Sequence, residues 1–329
     1  MEKRSIKTSK QKFHTIKRIT KSPTFGVFLI LLILIVIMTI VAGDIFLTRT
    51  NLLSVFRQIS FTAIVAIGIS LVIITGGIDL SVGAVYGFAG VCAAIAMTQW
   101  QWGVIPGVMF GLLIAAVCGS INGVLVTKMD FPPFIATLGM MGAARGVSLG
   151  ITEAVPIFGM PASYVAMGQG FTWGIPNPIL IMLGIGIIFT FFLRKLVIGR
   201  QIYAIGGNEE AARVSGIDTN KVKMTAYILC AVIAGFAGIL TAARLGTAQP
   251  AAGRGLELDA IAAAIIGGAS LKGGVGNIAG PIMGAAIMGI LNNAITLLAI
   301  SPNWREAIIG VVIILAIMMD RFRASKQSK

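Results

Sequence analysis

Apolar residues arrive in ten long runs divided by short breaks of polar residues, Gly or Pro. The runs cover 25–43, 59–75, 82–98, 103–127, 134–151, 176–193, 223–245, 257–271, 276–299 and 303–319. A helix rises about 1.5 Å per residue, so about 20 apolar residues cross roughly 30 Å of hydrocarbon. A spanning segment must also satisfy its own backbone hydrogen bonds, which leaves helices or a closed barrel. Runs of this length predict helices, and the chain reads as an all-α polytopic membrane protein with about ten transmembrane helices. Two runs, 82–98 and 257–271, are short for a full crossing. The break Thr75-Gly76-Gly77-Ile78-Asp79-Leu80-Ser81 is either a loop or an interruption at membrane depth.

One polar island stands out at 207–218, inside the longest connection, 194–222. Asn208 suits an N-cap, and Glu209 and Glu210 put negative charge in a first turn. Gly216 can take the left-handed conformation that ends a helix. These positions predict a two-turn helix over 208–217 lying beside the membrane. Ala211, Ala212 and Ser215 are small enough to let it sit close to a partner surface.

Composition supports the membrane reading: 57% of the 329 residues are hydrophobic and 12% are charged, about half the charged share of a soluble domain. The net charge of +14 points to the membrane and not to nucleic acid, because of where the cations fall. Lys3, Arg4, Lys7, Lys10, Lys12, Lys17, Arg18 and Lys21 crowd the tail 1–24, and Arg321, Arg323, Lys326 and Lys329 occupy the tail 320–329. Basic flanks mark cytoplasmic ends, so both termini are expected inside, with a single transmembrane domain over 25–319 between them. All Lys and Arg residues except Arg49, Arg57, Arg145, Arg244, Arg254 and Arg305 then fall on the inner side. The tryptophans agree: Trp100, Trp102, Trp173 and Trp304 all lie in or beside segments expected outside, at the headgroup level that suits an indole. The first run is too long for the core of a cleavable signal and lacks a convincing cleavage site.

Chemistry within the runs is sparse. The only histidine, His14, lies in the basic tail, and Cys92, Cys118 and Cys230 fall in apolar runs without metal spacing, so no catalytic residue, metal site or cofactor is expected. A charge inside a span costs at least about 2.5 kcal/mol on insertion scales. Arg145 therefore either braces the bundle against a carboxylate, the favoured reading, or lines a path. Asp79 is read equally as such a group or as an N-cap for the run that follows. Asn122, Asn277, Asn292 and Asn293 are neutral hydrogen-bonding groups, suited to a passing polar solute or to gluing helices together. Glu257 and Asp259, at the expected outer end of a span, can cap a helix or receive a soluble protein. The 41 glycines read mainly as packing, as in Gly107-x-x-x-Gly111 and Gly280-Pro281-x-x-Gly284.

The order Glu210-Ala211-Ala212-x3-Gly216 is similar to the motif by which ABC importer permeases engage their ATPases. Further stretches carry the likeness in family order from about 45 to 320: Gly76-Gly77-Ile78-Asp79-Leu80-Ser81-Val82-Gly83, Phe134-Ile135-Ala136-Thr137-Leu138-Gly139-Met140, Ile205-Gly206-Gly207-Asn208-Glu209, Ala248-Gln249-Pro250, Leu256-Glu257-Leu258-Asp259-Ala260-Ile261-Ala262-Ala263 and Leu291-Asn292-Asn293. The chain resembles the permease subunits of bacterial ABC importers for ribose and related simple sugars, with the permease fold of the sugar and branched-chain amino acid type. The resemblance implies a bacterial inner-membrane protein whose pore forms with a second permease copy or a close relative. It also implies an ABC ATPase subunit below, a periplasmic or extracellular sugar-binding protein above, and ATPase coupling through Asn208, Glu209, Glu210, Ala211, Ala212, Arg213 and Gly216. The chain itself is then not an enzyme. Its nearest approach to a phosphate loop, Gly267-Gly268-Ala269-Ser270-Leu271-Lys272-Gly273, has Leu where a Gly should precede Lys and Gly where Ser or Thr should follow. A permease for a polyol, a furanosyl signal, a nucleoside or a branched-chain amino acid stays open. A secondary transporter is disfavoured by the few buried carboxylates and the lack of buried histidine, and an intramembrane enzyme by the want of a catalytic constellation.

Overall fold

The computed structural model describes residues 23–312 together with 314, 315 and 318. The basic tails, His14 and part of the run 303–319 lie outside the described residues. The described chain is helical almost throughout, as the apolar runs require. The first run forms α1, Pro23–Phe46, and the second forms α2, Arg49–Ile74. Helix α2 starts ten residues earlier than the run 59–75: the side chain of Thr48 accepts from the Asn51 N–H and caps the end. Polar positions such as Arg49, Asn51 and Arg57 hid this extension, because a helix can run past the hydrocarbon once its first turn is capped.

Helices α3, Val82–Thr98, α4, Val104–Thr127, and α5, Pro133–Thr152, follow as expected. A short helix, α6, Ala162–Gln169, and a two-residue antiparallel pair, β1, Phe171–Thr172, with β2, Ile175–Pro176, fill the connection that the apolar pattern left unassigned. After α7, Asn177–Lys195, the chain turns directly into α8, Val197–Gly207, and then α9, Glu209–Val214. The long α10, Thr219–Leu245, is followed by α11, Leu256–Ile266, α12, Ala279–Leu297, and a 3-10 turn at Pro302–Trp304. Seven of these helices are long and apolar enough to span a membrane. Helices α3 and α11, with 17 and 11 residues, are the two runs read as short. The span 257–271 is shorter still in the structure, because Gly268, Gly273 and Gly274 adopt positive φ and open the chain after Ile266.

Helix α10 is the axis of the bundle, packing against α2, α3, α4 and α6, while α12 joins α1, α2 and α11 in a second layer. Its burial follows from small residues. A Cβ on Gly238 would collide with the Tyr86 carbonyl of α3, and one on Gly235 would lie 2.5 Å from the Ala115 Cβ of α4. Both glycine pairs picked out in the sequence pack the same way, with Gly111 against the Ala89 carbonyl and Gly284 against that of Ala263. Cys92, Cys118 and Cys230 are free, buried thiols among these apolar residues. By contrast α1 turns Ile40, Val41 and Ile45 outward, as a lipid-facing helix should.

Overpacking an interior costs about 1–3 kcal/mol. Gly238→Val is therefore expected to lower the melting temperature of the detergent-solubilised protein by at least about 3 °C. Gly184→Ala, where an added Cβ meets nothing within 4 Å, is expected to leave it unchanged in the same fluorescence-detected melt.

Candidate coupling site

The polar island folds as its residues dictate. Asn208 is extended, and its Oδ1 accepts from the Ala211 N–H at 2.9 Å, which caps α9. Glu209 and Glu210 fill the first turn, where a carboxylate meets the positive end of the helix. At the other end Gly216 sits at φ +85. Its N–H reaches the Arg213 carbonyl and the Ile217 N–H reaches that of Ala212, the paired bonds of a Schellman stop.

Helix α9 is anchored on one side and open on the other. Ala212 is buried, whereas Glu210, Ala211, Arg213, Val214 and Ser215 are exposed. Of the three small residues expected to face a partner, then, Ala212 instead faces the protein's own helices. Glu209 accepts from Lys223 Nζ at 2.5 Å, which ties α9 to the second turn of α10. Arg213 reaches Glu209 at 3.6 Å and Glu210 at 3.7 Å, exposed pairs worth little by themselves. Asp218 caps α10 by accepting from the Lys221 N–H, and that bond, with the Lys221 ammonium, holds its carboxyl below the usual carboxylate range.

The polar residues singled out within the runs all have structural partners. Asp79 is fully buried in the break between α2 and α3. Its Oδ1 accepts from both the Ser81 N–H at 2.8 Å and the Ser81 hydroxyl at 2.6 Å. Asn122 of α4 donates to that hydroxyl at 2.9 Å, so Asp79, Ser81 and Asn122 form one buried cluster. Asp79 is thus not the N-cap itself; Ser81 holds that position. Asn293 pairs with Asn51 through reciprocal amide bonds of 2.7 and 3.2 Å. Asn277 accepts from the Gly280 N–H at 2.7 Å as α12 begins.

Arg145 meets a main-chain carbonyl, not the carboxylate that the sequence led us to expect. It donates to the Ala252 carbonyl at 2.6 Å, and among the described residues it has no ion pair. A carboxylate was the expected partner because charge seeks charge, yet a main-chain oxygen also serves as an acceptor. Asp259 is 3% exposed and pairs with Arg305 at 2.6 Å, while Arg305 also donates to Asn292 at 2.9 Å. Glu257 accepts from the Gly255 N–H at 3.2 Å and abuts Gly83 of α3. Neither carboxylate therefore presents a free docking face in this conformation: Asp259 is enclosed, and Glu257 is turned onto its neighbours. Sequence reasoning missed Ser81, Lys223 and Arg305, the residues that link these groups. Ser81 and Lys223 were detectable only as polar residues at the edges of apolar runs.

The family described as "Branched-chain amino acid transport system / permease component" matches residues 51–317. The chain belongs to this permease family. The ribose import permease protein RbsC of Escherichia coli strain K12 is 42% identical over 303 residues, covering 88% of this chain and 91% of that protein. Bacillus subtilis strain 168 has a ribose import permease protein RbsC that is 40% identical, with 91% and 93% covered. The D-allose transport system permease protein AlsC of Escherichia coli strain K12 is 37% identical, with 90% and 91% covered. No solved structure matches the chain. This permease is thus a multi-pass membrane protein, and the three relatives named here are permeases for ribose or D-allose.

Loss of a cap typically costs about 1 kcal/mol. In this permease Asn208→Ala is expected to raise amide hydrogen exchange across 209–216 by about five-fold. Exchange within α10 beyond its first turns is expected to stay unchanged, as read by mass spectrometry.

Proposed function

We propose that the chain is the permease subunit through which an ATP-driven importer moves ribose or a related simple sugar into the cytoplasm. Relatives named for ribose and allose at 37–42% identity favour a sugar over the amino acid in the family's description. Both termini face the cytoplasm in this reading, as the basic tails suggest, and α9 lies on that side. An ABC ATPase subunit grips the exposed face of α9, and hydrolysis belongs to that subunit. A soluble sugar-binding protein delivers the solute on the opposite side and sets selectivity.

The observation that carries the coupling role is α9 itself, a capped helix at both ends with one buried contact, one ion pair to α10 and an outward face carrying Glu210 and Val214. Val214 is a large apolar side chain that is 81% exposed. Closure of the ATPases on ATP would move α9 as a rigid body and carry α10 with it. A second permease copy is expected along α5. Its outward face repeats Leu138, Gly142, Gly146 and Gly150, where added Cβ atoms on the glycines meet nothing within 4 Å, and small residues permit close approach of helices.

Two substitutions test the coupling role. Glu210→Lys reverses charge on the outward face, and Gly216→Pro demands φ near −65° where the chain sits at +85. Each is expected to cut uptake of labelled ribose by at least about ten-fold while the protein stays in the membrane. Normal uptake and normal sugar-stimulated ATP hydrolysis in both would overturn it. Thermal stabilisation of the cognate binding protein by a panel of sugars, polyols, nucleosides and amino acids identifies the solute class separately.

A further inference from the structure

A groove of about 470 Å³ runs between α7 and the start of α12. Leu183, Ile187 and Phe191 form one wall and Ala279 and Ile282 the other. Gly186 opens it, since a Cβ there would already come within 3.1 Å of Ile282. The groove is apolar along its length and ends in two cations, Arg194 and Lys195. Neither has a carboxylate partner among the described residues. From Leu183 to Arg194 the helix rises about 16 Å, close to one leaflet of a hydrocarbon core about 30 Å thick.

A second observation lies next to it. The chain leaves α7 through Leu196, Val197 and Ile198, which are 43%, 59% and 38% exposed, and α8 then carries an exposed Arg200. Apolar side chains outward beside cations is the pattern of a helix resting at the boundary of acyl chains and headgroups. An apolar slot of one-leaflet length with unpaired cations at its mouth matches one chemistry: an acyl chain joined to a phosphate.

We infer that this groove holds an anionic diacyl phospholipid of the surrounding bilayer, with one acyl chain along Leu183, Ile187 and Phe191 and the phosphate on Arg194 and Lys195. The lipid then fills the gap between α7 and α12 and steadies the corner where α7 turns toward α8 and α9. The inference does not depend on which solute the permease carries.

Native mass spectrometry of the importer, purified whole in mild detergent, tests it. Phosphatidylglycerol is expected to stay bound, and Arg194→Gln with Lys195→Gln to lower its retention by at least about ten-fold. In nanodiscs, phosphatidylglycerol added to phosphatidylcholine is expected to raise the melting temperature of the native protein but not of the double variant. A second pair, Gly186→Leu with Ile187→Phe, fills the slot while keeping both cations and is expected to lose the lipid too. Equal retention of phosphatidylcholine, unchanged retention in either pair, or efficient disulfide cross-linking of two copies through Ile187→Cys would overturn it, the last by showing a second chain in the groove.

Discussion

Everything in this fold depends on main chains coming close enough to touch. Lipid offers no water to drive helices together, so contact, hydrogen bonds and small residues must do so. Where α10 crosses α3 the absent side chain of Gly238 lets the Tyr86 carbonyl rest against the helix backbone. The same device seats Gly206 of α8 against the Ile74 carbonyl at the end of α2, and Gly274 donates to that same carbonyl at 2.9 Å. Three chain segments far apart in sequence thus meet backbone to backbone just above α9. A side chain at any of these points would separate the layers and leave the buried polar groups without their partners.

Those polar groups are the second consequence of close approach. Asp79, Ser81 and Asn122 share one chain of hydrogen bonds in a break that is otherwise enclosed by apolar helices. Asp259, Arg305 and Asn292 form another, and Asn51 with Asn293 a third. Truncating one partner in such a set leaves the rest buried and unpaired, which costs more than the bond contributes. Each set joins segments that are far apart in the chain.

What could be read in the sequence follows from what hydropathy measures. It reports which residues avoid water, so the long spans, the short third helix and the helix at the polar island were all legible, the island down to its Asn208 cap and Gly216 stop. It does not report which residue faces which. Asn51 and Asn293 stand 242 positions apart, and nothing local to either names the other. The start of α2 was hidden by polar side chains on an exposed turn. Helix α8 was missed because its alternation of buried Ile202 and Ile205 with exposed Val197 and Arg200 belongs to an interface and not to a span. Arg145 was expected to find a carboxylate, since a pattern of residue types cannot show a carbonyl turned inward.

The bond between Lys223 and Glu209 joins α9 to the N-terminal end of α10. Helix α10 has 27 residues, about 40 Å of rod at 1.5 Å per residue. A rotation of about 5° about one end would sweep the other through about 3.5 Å, more than half a helical turn of about 5.4 Å. Because α2, α3, α4 and α6 all lean on that rod, in the coupling role proposed above a small torque applied at the exposed face of α9 would arrive at the other end of α10 as a displacement of several ångströms.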